Sequence, residues 1–83
     1  MRKISGYVFC KLTSRVLHNP IVYWFEKDGH IQEKVMGTQS EGKFEVDIPE
    51  ALDKLYVANR GYSVREIKLS THTQKVLVYL SKD

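Results

Sequence analysis

The sequence predicts an all-β sandwich of seven short strands. Apolar residues recur with a period of two rather than 3.6, the pattern of strands half buried against a core. β-branched and aromatic residues fill these runs, as a pleated and packed surface favours. Turn formers break them at short intervals, namely Asn19-Pro20, Asp28-Gly29, Glu41-Gly42, Pro49 and Arg60-Gly61. Short strands so spaced read as a sandwich or a barrel.

The first strand is expected over 3–10, with Ile4, Gly6, Val8 and Cys10 on one phase and Ser5, Tyr7 and Phe9 on the other. The second, 20–27, points Val22 and Trp24 inward and Ile21, Tyr23 and Phe25 outward. The third, 30–38, follows the Asp28-Gly29 turn. In the fourth, 43–48, Phe44, Val46 and Ile48 alternate with Glu45 and Asp47. Gly42, just before it, is expected at a positive φ. Pro49-Glu50-Ala51-Leu52-Asp53 has room for about one helical turn, Pro being apt at a helix start. The fifth strand, 54–59, alternates Leu55 and Val57 with Tyr56 and Ala58. The sixth, 62–69, follows Gly61, and the seventh, 75–81, alternates Val76, Val78 and Leu80 with Leu77 and Tyr79. Val8, Val22, Trp24, Phe44, Val46, Leu55, Val57, Val78 and Leu80 are the expected core.

A chain of 83 residues is expected to form a single domain, 1–83, since too little remains for a second core. Charged residues make up 28% and are of mixed sign along the chain. The net charge of +3 is not gathered on one segment, which argues against nucleic acid as a partner. One cysteine precludes an intrachain disulfide, so packing alone must hold the domain. No apolar run approaches a membrane span, and Met1-Arg2-Lys3-Ile4-Ser5-Gly6 leads into a strand pattern instead of the apolar stretch of a signal peptide.

The order of signals resembles a known family. Ile4-Ser5-Gly6-Tyr7-Val8 is an Ile-x-Gly-x-Val strand, followed by Leu17-His18-Asn19-Pro20-Ile21-Val22. Thr38-Gln39-Ser40-Glu41-Gly42-Lys43-Phe44 is similar to a Thr-x-Asp-x-x-Gly-x-Phe turn, with Ser40 in the place of Asp. Leu55-Tyr56-Val57, Gly61-Tyr62 and Val76-Leu77-Val78-Tyr79-Leu80 complete the series. Together these resemble the carboxypeptidase regulatory-like domains. The resemblance implies a seven-stranded Greek-key β-sandwich of the transthyretin (prealbumin) type. It also implies a non-catalytic accessory module of a larger exported or cell-envelope protein, an analogy at the level of fold.

No catalytic, cofactor or metal site is expected. His18, His30 and His72 lie at turns without ligand spacing, and Cys10, His18, Asp28 and His30 would converge only by accident of folding. Cys10 falls on the inward phase, where a thiol behaves as a small hydrophobe. Ser14, Ser40 and Ser70 lack a nucleophile motif. Gly42 and Gly61 read as turn glycines, since a phosphate cradle needs a Gly-rich loop opening a helix. The chain ends Tyr79-Leu80-Ser81-Lys82-Asp83 and lacks the Tyr-Arg-Gly-Ser ending of the transthyretin-like hydroxyisourate hydrolases. Its last strand has no acid or amide for the lysine crosslink of pilin-type sandwiches.

The outward aromatics are the uneven feature. Tyr7, Phe9, Tyr23 and Phe25 occupy phases that a solvated sheet face fills with polar residues. They form the candidate contact surface, because exposed apolar patches mark interaction sites and aromatics favour interface centres. A neighbouring domain or protein is the expected partner. A carbohydrate is the alternative, since aromatic platforms suit sugar rings.

Overall fold

The computed structural model describes residues 2–25, 31–35 and 43–83, the stretch 31–35 by its backbone. The strands are β1 (Arg2–Cys10), β2 (Ile21–Phe25), β3 (Ile31–Val35), β4 (Lys43–Ile48), β5 (Lys54–Ala58), β6 (Arg65–Lys68) and β7 (Lys75–Leu80). No helix occurs among the described residues. At Pro49 the chain makes one turn, in which the Leu52 N–H donates to the Pro49 carbonyl at 3.1 Å, and then enters β5. The Glu41-Gly42 turn and its expected positive φ lie outside the described residues, as do Asp28 and His30.

Two sheets face each other. One has the order β4-β1-β7 and the other β3-β2-β5-β6. Among the described residues, consecutive strands pair only as β2–β3 and β5–β6, and every other connection changes sheet. All pairings among the described residues are antiparallel except β1–β7, which runs parallel from Ser5–Lys75 to Cys10–Leu80.

Alternation explains the core. β4 is alternately exposed and buried along its whole length, with Phe44, Val46 and Ile48 inside. These pack with Ile4 and Val8 of β1, Val22 and Trp24 of β2, Leu55 and Val57 of β5, Val78 and Leu80 of β7, and Leu69. Every expected core residue is buried there. Gly6 takes an inward position where a Cβ would lie 2.5 Å from the Val76 carbonyl oxygen and 2.8 Å from the end of the Phe44 ring. The missing side chain lets Phe44 lie directly over β1.

The sandwich ends are tied by polar groups. Arg2, at the start of β1, donates through Nη1 to the Ser70 carbonyl (2.8 Å) and through Nη2 to the Leu52 carbonyl (3.2 Å). One guanidinium thus satisfies carbonyls of two loops that sheet pairing leaves open. At the other end the turn Asn59–Tyr62 is closed by the Tyr62 N–H on the Asn59 carbonyl at 3.0 Å. Gly61 holds φ +83° in it, the third position of a type II turn.

Candidate functional site

Tyr7, Phe9, Tyr23 and Phe25 do not form one surface. Tyr7 and Phe9 are on β1, Tyr23 and Phe25 on β2, and the two strands belong to different sheets. The outward side chains of facing sheets point away from each other, so the four rings fall into two groups on opposite sides. Alternation assigns each side chain a face but does not say which strands are neighbours, and this split follows from that gap.

Each pair acquires a third ring by register. Phe9 lies opposite Tyr79 in the β1–β7 ladder. Their ring centroids are 5.2 Å apart at 26°, and Tyr7 stacks on Phe9 at 6.3 Å and 24°. In the other sheet Tyr23 lies opposite Tyr56. Those rings stack at 5.2 Å and 15°, and Phe25 meets both edge-on at 6.1 and 5.5 Å. Such pairs stabilise a sheet in their own right. Much ring surface still reaches solvent, with Tyr7 43%, Tyr79 40% and Phe25 46% exposed. Tyr56 also donates its hydroxyl to Glu66 Oε1 at 3.2 Å.

Beside the first group lies Leu77, which is 64% exposed. The small Ser5 leaves a depression of about 370 Å³ there, walled by Tyr7 and Leu77 and flanked by Lys43 and Lys75. On the same face Lys3 pairs with Glu45 at 3.2 Å. Glu45 holds the Lys3 ammonium pKa above its ordinary value, first by hydrogen bonding and then by charge.

Cys10 is buried, as its phase implies, but its surroundings are not apolar. The Thr13 hydroxyl is the largest influence on its thiol, followed by the Tyr62 hydroxyl and the Thr13 backbone N–H. These groups favour the thiolate and pull the pKa from 9.0 to about 6 against the opposing effect of burial. Tyr62 is raised in turn, chiefly through its hydrogen bond to Cys10. The sequence signal for these donors was slight, since Tyr62 is far away in the chain and Thr13 lies in a turn. A reactive cysteine is partly open to solvent, whereas Cys10 is 4% exposed at the end of a strand. The group therefore reads as a structural hydrogen-bond node.

His18 contributes its backbone carbonyl to the Asn59 side chain (2.9 Å), and the His72 N–H donates to the Ser70 hydroxyl (3.2 Å). Among the described residues no three His, Cys, Asp or Glu side chains gather as metal ligands. Nor is any helix of the described residues long and apolar enough to cross a membrane.

No family model matches the chain, and no curated protein matches it. Among solved structures, the C-terminal domain of the shaft pilin spaA from Lactobacillus rhamnosus GG is similar to it. The two are 10% identical, the match covers 99% of this chain and 98% of that one, and the TM-score is 0.48.

Proposed function

We propose that this chain is a non-catalytic interaction module, a single transthyretin-like Greek-key domain over 1–83, and that it serves a larger exported or cell-envelope protein. The strand order supports the architectural part. Hairpins are limited to β2–β3 and β5–β6, the remaining links cross between sheets, and the first and last strands pair in parallel. That arrangement fits the resemblance to carboxypeptidase regulatory-like domains carried by the Ile4-to-Val8, Leu17-to-Val22 and Val76-to-Leu80 segments.

The observation that carries the function is the pair of aromatic groups on the outer faces, Tyr7, Phe9 and Tyr79 on one and Tyr23, Phe25 and Tyr56 on the other. Burying apolar area contributes roughly 25 cal/mol per Å², which a solvated face forgoes and a partner surface collects. The ring geometry favours protein over sugar. Rings lying side by side in one plane cannot bring their centroids to 5.2 Å, so Phe9 with Tyr79 and Tyr23 with Tyr56 turn faces toward each other. A sugar needs those faces free, whereas a protein surface can pack against edges, hydroxyls and the flanking aliphatic stems.

Tyrosine footprinting tests this reading. Nitration of Tyr7, Tyr23, Tyr56 and Tyr79 is compared between the isolated chain and the chain in its native source. Protection of Tyr23 and Tyr56, or of Tyr7 and Tyr79, in the native setting alone is the expected result. Equal labelling of all four in both settings overturns it.

A further inference from the structure

Three of the four sheet edges carry mostly polar or charged sequence. β4 presents Lys43, Glu45 and Asp47 outward, β6 reads Arg65-Glu66-Ile67-Lys68, and β3 has Gln32-Glu33-Lys34 at its centre. Charged edges discourage pairing with another chain. β7 is the exception. It reads Lys75-Val76-Leu77-Val78-Tyr79-Leu80, and its other side has no partner strand among the described residues.

The hydrogen bonds show which groups that edge offers. The carbonyls of Gln74 and Leu80 point to β1, accepting from the N–H groups of Ser5 (3.0 Å) and Lys11 (2.9 Å). Backbone groups alternate sides along a strand, so those of Lys75, Leu77 and Tyr79 point outward. Two flanking contacts agree, since the Tyr79 carbonyl accepts from Arg65 Nη1 (3.4 Å) and the Ser81 carbonyl from the Ser63 N–H (2.8 Å). The Tyr62–Lys82 bridge closes the edge at one end, and the turn in which the Thr73 N–H meets the Ser70 carbonyl (3.2 Å) bounds it at the other. The window left is Lys75 to Tyr79, in which the Tyr79 carbonyl must exchange the exposed Arg65 guanidinium (3.4 Å) for a partner strand's N–H.

We propose that this window is a self-association site, at which two copies of the chain pair their β7 strands antiparallel about Leu77. The sequence is complementary to itself in that register and in few others. Leu77 meets the partner's Leu77 on the two-fold axis, Val76 meets the partner's Val78, and Lys75 meets the partner's Tyr79. No lysine faces a lysine, and each ammonium gains a ring of the kind it favours. The outward-pointing residues Lys75, Leu77 and Tyr79 all fall in hydrogen-bonded pairs, the geometry an antiparallel ladder requires. On the inner face, Val76 is only partly buried against the core while Val78 is fully buried. Pairing sets the partner strand's backbone beside the part-exposed Val76. On the outer face the exposed Leu77 is covered, and the Tyr7–Phe9–Tyr79 stack continues toward its symmetry mate. One short strand per chain buries little area, so the dimer is a weak one.

Sedimentation velocity on the 83-residue chain, from a few to several hundred micromolar, tests the proposal. The wild type is expected to shift from monomer to dimer across that range. Leu77→Lys changes a solvent-exposed side chain and sets two like charges on the axis, so it should weaken association at least tenfold. A second pair of variants tests the register and gives an answer even if Leu77→Lys fails to fold. Tyr79→Glu faces the partner's Lys75 and should retain the dimer, while Tyr79→Lys faces the same lysine and should abolish it, although both lose the same stack on Phe9. A wild type that stays monomeric throughout overturns the proposal. So does a folded Leu77→Lys chain that associates like wild type, or a Tyr79 pair whose members behave alike. The Tyr23, Phe25 and Tyr56 face is untouched in these variants, so failure here leaves the interaction-module reading standing.

Discussion

At Gly6 a single methyl group would meet backbone on one side and an aromatic ring on the other. The Val76 carbonyl belongs to the β1–β7 ladder and cannot move without breaking it, and Phe44 is held by the core around it. Gly6→Ala should therefore destabilise by about 1–3 kcal/mol, the usual cost of overpacking. Gly61 provides the contrast, because a Cβ there meets nothing within 4 Å and only its φ of +83° resists substitution. Gly61→Val should cost about 1–2 kcal/mol, from backbone conformation alone, and Gly61→Asn less. Urea denaturation measures both, and a Gly6→Ala midpoint equal to wild type rejects the packing account. Cys10 makes a second prediction at this scale. Its folded pKa of about 6 lies below the ordinary 9.0, so the thiolate is the form the fold favours. The associated stability is complete above about pH 9 and is lost as pH falls through about 6. Thr13→Val and Tyr62→Phe each remove a donor and should move the thiolate absorbance midpoint upward. Midpoints that do not move in either variant would show that these hydroxyls do not set the thiol.

Among the strands, β4 shows how much alternation alone determines. Phe44, Val46 and Ile48 go in and Lys43, Glu45 and Asp47 go out, as the sequence indicates residue by residue. Phe44→Ala should cost about 3–5 kcal/mol, a buried-aromatic truncation. The total for a domain of this size is only about 4–12 kcal/mol. Asp47→Ala, on the opposite face of the same strand, should leave the melting temperature nearly unchanged. An unchanged melting temperature for Phe44→Ala would remove the ring from the core. The same periodicity is silent on what lies beside a strand. It placed Tyr7 and Phe9 outward on β1, and Tyr23 and Phe25 outward on β2, without showing that Tyr79 and Tyr56 are the rings they stack on. Arg2 was illegible for a related reason: the carbonyls it serves, of Leu52 and Ser70, sit in loops that only the assembled sandwich brings near β1. The stretch Pro49-Glu50-Ala51-Leu52-Asp53, with room for about one helical turn, closes a single turn and goes no further, because the next strand begins at Lys54 and leaves no residues to propagate a nucleus that is costly to form.

Across the whole molecule, the first and last strands are what close the fold, since β1 holds both β4 and β7 in its sheet. This puts the pairing of the most distant segments at the centre of the three-stranded sheet, a topology dominated by long-range contacts and expected to fold slowly for its size. The direction of that pairing also decides how the chain bears a load. β1 and β7 run the same way, so tension applied at the two ends of the chain drags them in opposite senses along their common axis. The ladder from Ser5–Lys75 to Cys10–Leu80 is then sheared, and its hydrogen bonds must yield together. By contrast, pulling on handles at Lys54 and Lys68, which sit opposite each other at one end of the antiparallel β5–β6 pair, peels bonds apart one after another. Single-molecule stretching should find a clearly higher rupture force in the first geometry than in the second, and equal forces would show that the parallel ladder is not the clamp. Tension along the common axis of the first and last strands therefore meets all the bonds of that ladder at once.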